Sequence, residues 1–161
     1  MNRYFDIALN LASDRFSGER DKVIADALTR NVNYFNIVCS SLNELDFVKD
    51  LNGRYGQNSC FTLGVHPHNA NELNGNTLKS LKDYIKIHQP SAVGETGLDF
   101  FRNLSSYENQ INAFEQQIII SIENNLPLFL HQREAHDDFI KVIDKYISEI
   151  PRGVVHCFTG T

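Results

Sequence analysis

An alternating α/β chain, carrying about six of the eight units of a (β/α)8 barrel, is the fold class the sequence predicts. Short apolar runs alternate with amphipathic helical stretches at roughly 27 residues per unit, which implies parallel strands joined by helical crossovers. Four consecutive apolar runs deliver a His or an acid at their ends, at His66, Glu95, His131 and His156, and strand ends are where such barrels keep their sites. The 161 residues are 42% hydrophobic and 22% charged, an ordinary globular composition sufficient for one domain with a real core over residues 1–161.

Each element has its own signal. Tyr4 to Leu9 reads as a first strand, and Arg20 to Arg30 as a helix with Val23, Ile24, Ala27 and Leu28 on one face. Tyr34 to Cys39, rich in aromatic and β-branched residues, is a second strand, and Leu42, Leu45, Phe47 and Val48 supply the apolar side of a second helix. Cys60 to Val65 is the third strand, running into His66-Pro67-His68, and Leu78, Leu81 and Ile85 mark the third helix. Ser91 to Glu95 is the fourth strand, expected to end at its carboxylate and turn away at Gly97. The fourth helix opens on Ser105 with Glu108, a capping-box spacing, and carries Ile111, Phe114, Ile118 and Ile122 on one stripe until Asn124-Asn125. Leu126 to Leu130 is a fifth strand with Pro127 tolerated at its start. Phe139, Val142, Ile143, Tyr146 and Ile147 face inward from a fifth helix, and Val154 to His156 is a sixth strand.

Charge and cysteine usage narrow the function. A net charge of -5 with no basic run excludes a protein that coats duplex DNA through a broad electrostatic face, so a nucleic-acid substrate has to be attracted locally, for example by a metal. Three cysteines, Cys39, Cys60 and Cys157, show no repeated spacing and suit a reducing cytosol. No apolar run approaches the length of a membrane span, and Asp6 and Asn10 interrupt any signal-peptide core, so the expected location is cytoplasmic.

Neutral imidazoles and a carboxylate are the ligands that a divalent metal takes in a hydrolytic site. A ring of strands brings them together whatever their separation along the chain. His66 directly follows its strand; His68 either joins the site or caps the turn after Pro67. Arg133 could bind a phosphate oxygen or form a loop salt bridge, and Asp99 could orient a ligand or begin a loop. Asn10 could place a water or end a strand, Arg102 is a weaker phosphate candidate, and Cys157 is expected in the packing.

Gly64-Val65-His66-Pro67-His68, Gly94 to Phe100, Leu130 to His136 and His156 to Gly160 resemble, in order, the signature blocks of the TatD family of metal-dependent deoxyribonucleases within the amidohydrolase superfamily. The resemblance runs from the first strand to the last residue. It implies a TIM-barrel scaffold and phosphodiester hydrolysis with Mg2+, or with Mn2+ or Zn2+ in its place. It makes Glu95, His131 and His156 metal ligands and suggests that His66 contacts the phosphate or assists the chemistry. With the reading of the residues above, His66 and Glu95 are the expected catalytic pair, and His66, His68 and Arg133 the expected substrate contacts. Two departures accompany it. Where most members open with His-x-His, this chain has Ala8 and Asn10, a pattern similar to the branch acting as 3′–5′ exonucleases on single-stranded DNA or RNA, and one tight ion is expected. The chain also ends at Thr161, before the eighth strand that supplies the family's metal-binding, base-forming Asp.

The expectations are therefore a fragment or truncated gene product of reduced activity. A complete barrel would be monomeric, whereas this chain could self-associate. The leading function is a metal-dependent exonuclease on single-stranded DNA or RNA ends. The alternatives are a deacylase of aminoacyl-tRNA and an inactive barrel remnant.

Overall fold

The computed structural model describes residues 3–156 and Phe158. Six parallel strands, β1 (Tyr4–Leu9), β2 (Val32–Ile37), β3 (Ser59–Leu63), β4 (Ala92–Asp99), β5 (Leu128–Arg133) and β6 (Gly153–His156), lie in sequence order in one curled sheet. Helices α1 (Arg20–Thr29), α2 (Leu45–Tyr55), α3 (Gly75–His88), α4 (Tyr107–Asn124) and α5 (His136–Asp144) connect them. Every neighbouring pair is parallel, as one helix per crossover requires. Among the described residues these are six strands and five crossover helices of a TIM-type (β/α)8 barrel.

The core lies between sheet and helices. Phe35, Ile37, Leu63, Val93 and Leu98 meet Ile24 of α1, Val48 and Leu51 of α2, Leu81 and Ile85 of α3, Phe114 and Ile118 of α4, and Phe139 and Val142 of α5. Side chains alternate across a strand, so Leu128 and Leu130 join this layer while Phe129 turns to the other face. There Phe129 packs with Val38 and Ala92, and His131 and Arg133 continue its row toward the end of the strand. Among the described residues β1 pairs only with β2, and its Tyr4, Phe5 and Ile7 are exposed.

The structure moves several boundaries. β4 does not stop at Glu95 but runs to Asp99, with all eight of its residues buried. Gly97 made that stretch look like a turn; Gly94, inside the expected strand, and Gly97 instead let two strands touch. Their φ values are +142° and +141°, and a Cβ on either would lie 2.1 Å from the Phe129 carbonyl oxygen or 2.0 Å from that of His131. The ladder to β5 shifts register between Gly94 and Thr96, at Glu95, and resumes with Thr96 beside Leu130, which sets Gly97 beside His131 and Asp99 beside Arg133. Glu95 is thus delivered from within a strand, and Asp99 from its end.

β5 correspondingly extends through Arg133, while β2 and β3 start and finish earlier than expected. The cap of α4 is Ser106, whose hydroxyl accepts the Asn109 N–H at 3.2 Å. Ser105 instead donates to the His68 carbonyl and accepts from the Asn71 N–H, so the expected capping box is replaced by a tie between loops. α5 ends at Asp144; beyond it Tyr146 still packs against the core as expected, whereas Ile147 is 62% exposed rather than inward. The expected packing of Cys157 and most of the block after His156 lie outside the described residues. No helix among the described residues is long and apolar enough to cross a membrane.

Candidate metal centre

One oxygen of Glu95 is the centre of the site. Its Oε1 lies 2.5 Å from His156 Nε2, 3.0 Å from His131 Nδ1 and 3.4 Å from His66 Nε2. His66, Glu95 and His131 present ligand atoms that all lie within 4.8 Å of one another. The three imidazoles come from the end of β6, from β5, and from the turn after β3. Only the curling of the sheet makes them neighbours.

Burial opposes the Glu95 carboxylate, yet hydrogen bonds from His131, His156 and His66 outweigh it and hold its pKa well below the usual carboxylate range. For His66 burial prevails: it lowers the imidazole below its ordinary value against the pull of Glu95, so the ring is neutral at pH 7. Its Nδ1 accepts the His68 backbone N–H at 3.1 Å. In the neutral ring the proton therefore belongs on Nε2, facing Glu95.

Asp99 forms the second pole. Its Oδ2 lies 2.7 Å from His68 Nε2 and 3.3 Å from His131 Nε2, and its Oδ1 accepts the Arg102 N–H at 2.8 Å. Burial raises this carboxyl, but the Arg102 N–H and His68 overcome that and hold it below its ordinary value. Asp99 is thus an orienting group rather than a loop start, and His68 is part of the site as well as of the turn. The sequence signal for Asp99 was its place four residues after Glu95, which strand spacing puts on the same face.

The donor set fits a divalent cation. His131 aims both ring nitrogens at carboxylate oxygens, 3.0 Å from Glu95 and 3.3 Å from Asp99. A neutral imidazole has one proton to offer and one lone pair, so one of these contacts sets a lone pair against a carboxylate. A cation held between imidazole and carboxylate removes that conflict, and mixed His/carboxylate donors are what hydrolytic metals use.

These groups open onto a cavity of about 360 Å3, which Asn10, Ser40, Asn69, Arg102 and Arg133 also line. Arg133 makes no salt bridge among the described residues. Its guanidinium instead lies 3.9 Å from the centre of the Phe101 ring, and Phe101 is 54% exposed. The cation is thereby held beside the cavity with its donors unspent. Asn10 reaches the site from just past β1, in place of the absent His-x-His pair.

A family model described as TatD related DNase matches residues 5–161. A 3′-5′ ssDNA/RNA exonuclease TatD of Erwinia tasmaniensis is 41% identical over 159 residues, covering 98% of this chain and 61% of the relative. The protein of the same name from Escherichia coli (strain K12) is 38% identical over 158 residues, covering 98% and 60%. Among solved structures, YJJV, a TatD homolog from Escherichia coli, superposes with a TM-score of 0.88 at 25% identity, covering 99% of this chain and 61% of its own. A hydrolase TatD family protein from Entamoeba histolytica gives 0.88 at 27%, covering 99% and 60%. The chain thus spans about 60% of the length of these relatives.

Proposed function

The chain belongs to the TatD related DNase family, and from that premise we propose a metal-dependent 3′–5′ exonuclease that removes nucleotides from the ends of single-stranded DNA or RNA. Residues 1–161 act in it as one hydrolase domain. The observation that carries the reading is the convergence of three imidazoles on Glu95 Oε1 beside a cavity that presents two arginines. Glu95, His131 and His156 would hold the ion, with Mg2+ the first choice and Mn2+ and Zn2+ to be compared with it. When bound, such an ion supplies positive charge that polarises a phosphoryl oxygen and makes water a stronger acid.

The chain's own groups then divide the work. His66, a neutral ring with its proton on Nε2, donates to a phosphate oxygen and shares with Glu95 the chemistry at the scissile bond. Arg133, steadied by Phe101, offers a two-pronged set of N–H donors to the same phosphate. His68, fixed by Asp99 and with its ring centre 4.2 Å from that of His66, faces the substrate beside it in the same cavity. Asp99 itself, with its pKa depressed, accepts hydrogen bonds and keeps His68 and His131 in place.

A protein of net charge -5 suits a grip on one or two phosphates at a strand end. For such a grip the logarithm of affinity falls with the logarithm of salt at a slope of only about −0.7 to −1.4. The free thiols of Cys39 and Cys60 support a cytoplasmic location.

The test is release of nucleotide from 3′-labelled and 5′-labelled single-stranded oligonucleotides with Mg2+, Mn2+ or chelator, beside Glu95→Ala. Metal-dependent release of the 3′-terminal label, abolished by the substitution, is expected. No release from a folded chain that binds metal would overturn the assignment. Amino-acid release from aminoacyl-tRNA in its place would transfer the same site to ester hydrolysis.

A further inference from the structure

Two glutamines interrupt the buried face of α4. Gln110 is 1% exposed and Gln117 0%, on a helix face otherwise made of residues such as Phe114 and Ile118. A buried carboxamide is costly unless its donors and acceptor are all satisfied. Here each amide bonds the backbone of one residue near the site besides further partners, among them the Ala113 carbonyl 3.1 Å from Gln117 Nε2. Gln117 Oε1 accepts the Val65 N–H at 2.8 Å, while its Nε2 donates to the Val65 carbonyl at 3.0 Å and to Thr96 Oγ1 at 2.7 Å. Gln110 Oε1 accepts the Asp99 N–H at 2.9 Å, and its Nε2 lies 3.3 Å from the Asp99 carbonyl and 2.9 Å from that of Ser105.

Each amide therefore holds both the N–H and the C=O of a single residue, as a neighbouring strand would. The residues held are telling. Val65 precedes His66, Thr96 follows Glu95, and Asp99 orients His68 and His131. The ladder between β3 and β4 has only the pairs Thr62–Ala92 and Leu63–Val93, so strand pairing has already ended where His66 must be fixed against Glu95. Close approach is built in: a Cβ on Gly64 would lie 2.8 Å from Gln117 Oε1 and 2.6 Å from the Gly94 Cα. Seven residues are two helical turns, so both amides leave the same face of one rigid rod, roughly 10 Å apart along it.

We propose that Gln117 is a positioning residue of the metal site, setting the end of β3 against β4 and hence His66 against Glu95, and that Gln110 sets Asp99 in the same way. Neither touches substrate or ion. The proposal rests on the metal-site reading above, so its test measures ion binding directly. Co2+ serves as the probe because its visible absorption reports its ligands.

The full chain is titrated with Co2+ as wild type, Glu95→Ala, Gln117→Met, Gln117→Glu, Gln110→Met and Ser121→Ala. Met nearly conserves volume, and Glu keeps an acceptor for the Val65 N–H but loses the donor to Thr96 and Val65 O. Ser121 is a buried α4 residue whose hydroxyl donates to the Leu126 carbonyl, away from the site; its loss destabilises without moving a ligand. Outer-shell changes of this kind weaken metal binding by about 10–100-fold. That loss, with an altered Co2+ spectrum, is expected for both Gln117 variants, with Ser121→Ala binding as wild type does. For Gln110→Met the change appears in the KM of the oligonucleotide through His68. Wild-type affinity and spectrum in a folded Gln117→Glu, alongside lost binding in Glu95→Ala, would overturn this inference and leave the metal site standing. Undiminished binding in Glu95→Ala would overturn both.

Discussion

Gly97→Ala tests the contact on which the site is built. Gly97 lies beside His131 in the β4–β5 ladder with φ at +141°, a conformation L side chains rarely adopt. A Cβ there would sit 2.0 Å from the His131 carbonyl oxygen, 3.0 Å from its carbon and 3.1 Å from its nitrogen. Real Cβ atoms essentially never come within 3.0 Å of such atoms, so β5 has to retreat by about 1 Å at His131. The backbone strain costs about 1–3 kcal/mol and the overpacking a further 1–3 kcal/mol, together about 2–6 kcal/mol.

For a domain of this length each kcal/mol moves Tm by roughly 2–4 °C, so the metal-free variant should melt about 4–24 °C lower. The same retreat displaces a proposed ligand, and a 1 Å misplacement costs on the order of 100-fold in function. Thermal melting by circular dichroism and a Co2+ titration read both effects. Gly53→Ala is the internal control. Gly53 lies inside α2 with nothing within 4 Å of a new Cβ, and the change should stabilise by about 0.5–1 kcal/mol. A Gly97→Ala chain with wild-type Tm and wild-type Co2+ affinity would refute the close approach of β4 and β5 at His131.

Divalent ion at 100 times its Kd should stabilise the chain by about 2.7 kcal/mol, a Tm rise of about 5–11 °C that chelator reverses and Glu95→Ala abolishes in the same melt. Phe101→Ala frees the Arg133 guanidinium from its ring, so the KM for oligonucleotides should rise by about 2–5-fold, the equivalent of 0.5–1 kcal/mol, with kcat nearly unchanged in steady-state kinetics. Ser106→Ala should cost about 1 kcal/mol in urea denaturation through loss of the α4 cap. Burial, and then the nearby Glu44, push the Cys39 thiol up to about 12. Its folded-state pKa is raised, so the stability it contributes is full below about pH 9 and lost as pH rises from there toward about 12. Iodoacetamide at pH 8 should accordingly leave Cys39 unmodified in the folded chain, as mass spectrometry of digested protein would show.

Much of the fold was legible in the residues because its signals are local. Apolar periodicity identified all five helices, and alternating α and β segments implied a parallel sheet. The histidines and Glu95 stood out because apolar runs delivered them, and the Asn pair that stops α4 is seen at work, Asn125 adopting the left-handed conformation of a C-cap. Boundaries were less legible where one local signal has two uses. Gly97 read as the start of a turn because glycine permits one, yet here its missing side chain, like that of Gly94, makes room for β5 inside a continuous strand. Ser105 and Ser106 are adjacent hydroxyls, and only the loop carrying His68 decided which one caps the helix.

By itself, then, the sequence determined which residues are available: four imidazoles, a buried Glu and an Arg, carried at the ends of successive apolar runs. Only the tertiary structure decided what they do to one another. Asp99 became an orienting group because β4 reached four residues further than expected, and Arg133 found an aromatic ring instead of an acid. Gln110 and Gln117 were invisible as site residues, since an amide on an apolar helical face looks like an ordinary polar interruption. The physical reason is distance along the chain. Periodicity, caps and turns are set by neighbours within a few residues. Glu95 and His156, in contrast, are 61 residues apart, and Gln117 and Val65 are 52 apart. Their contacts exist only once the strands have curled into one sheet and α4 has packed against it.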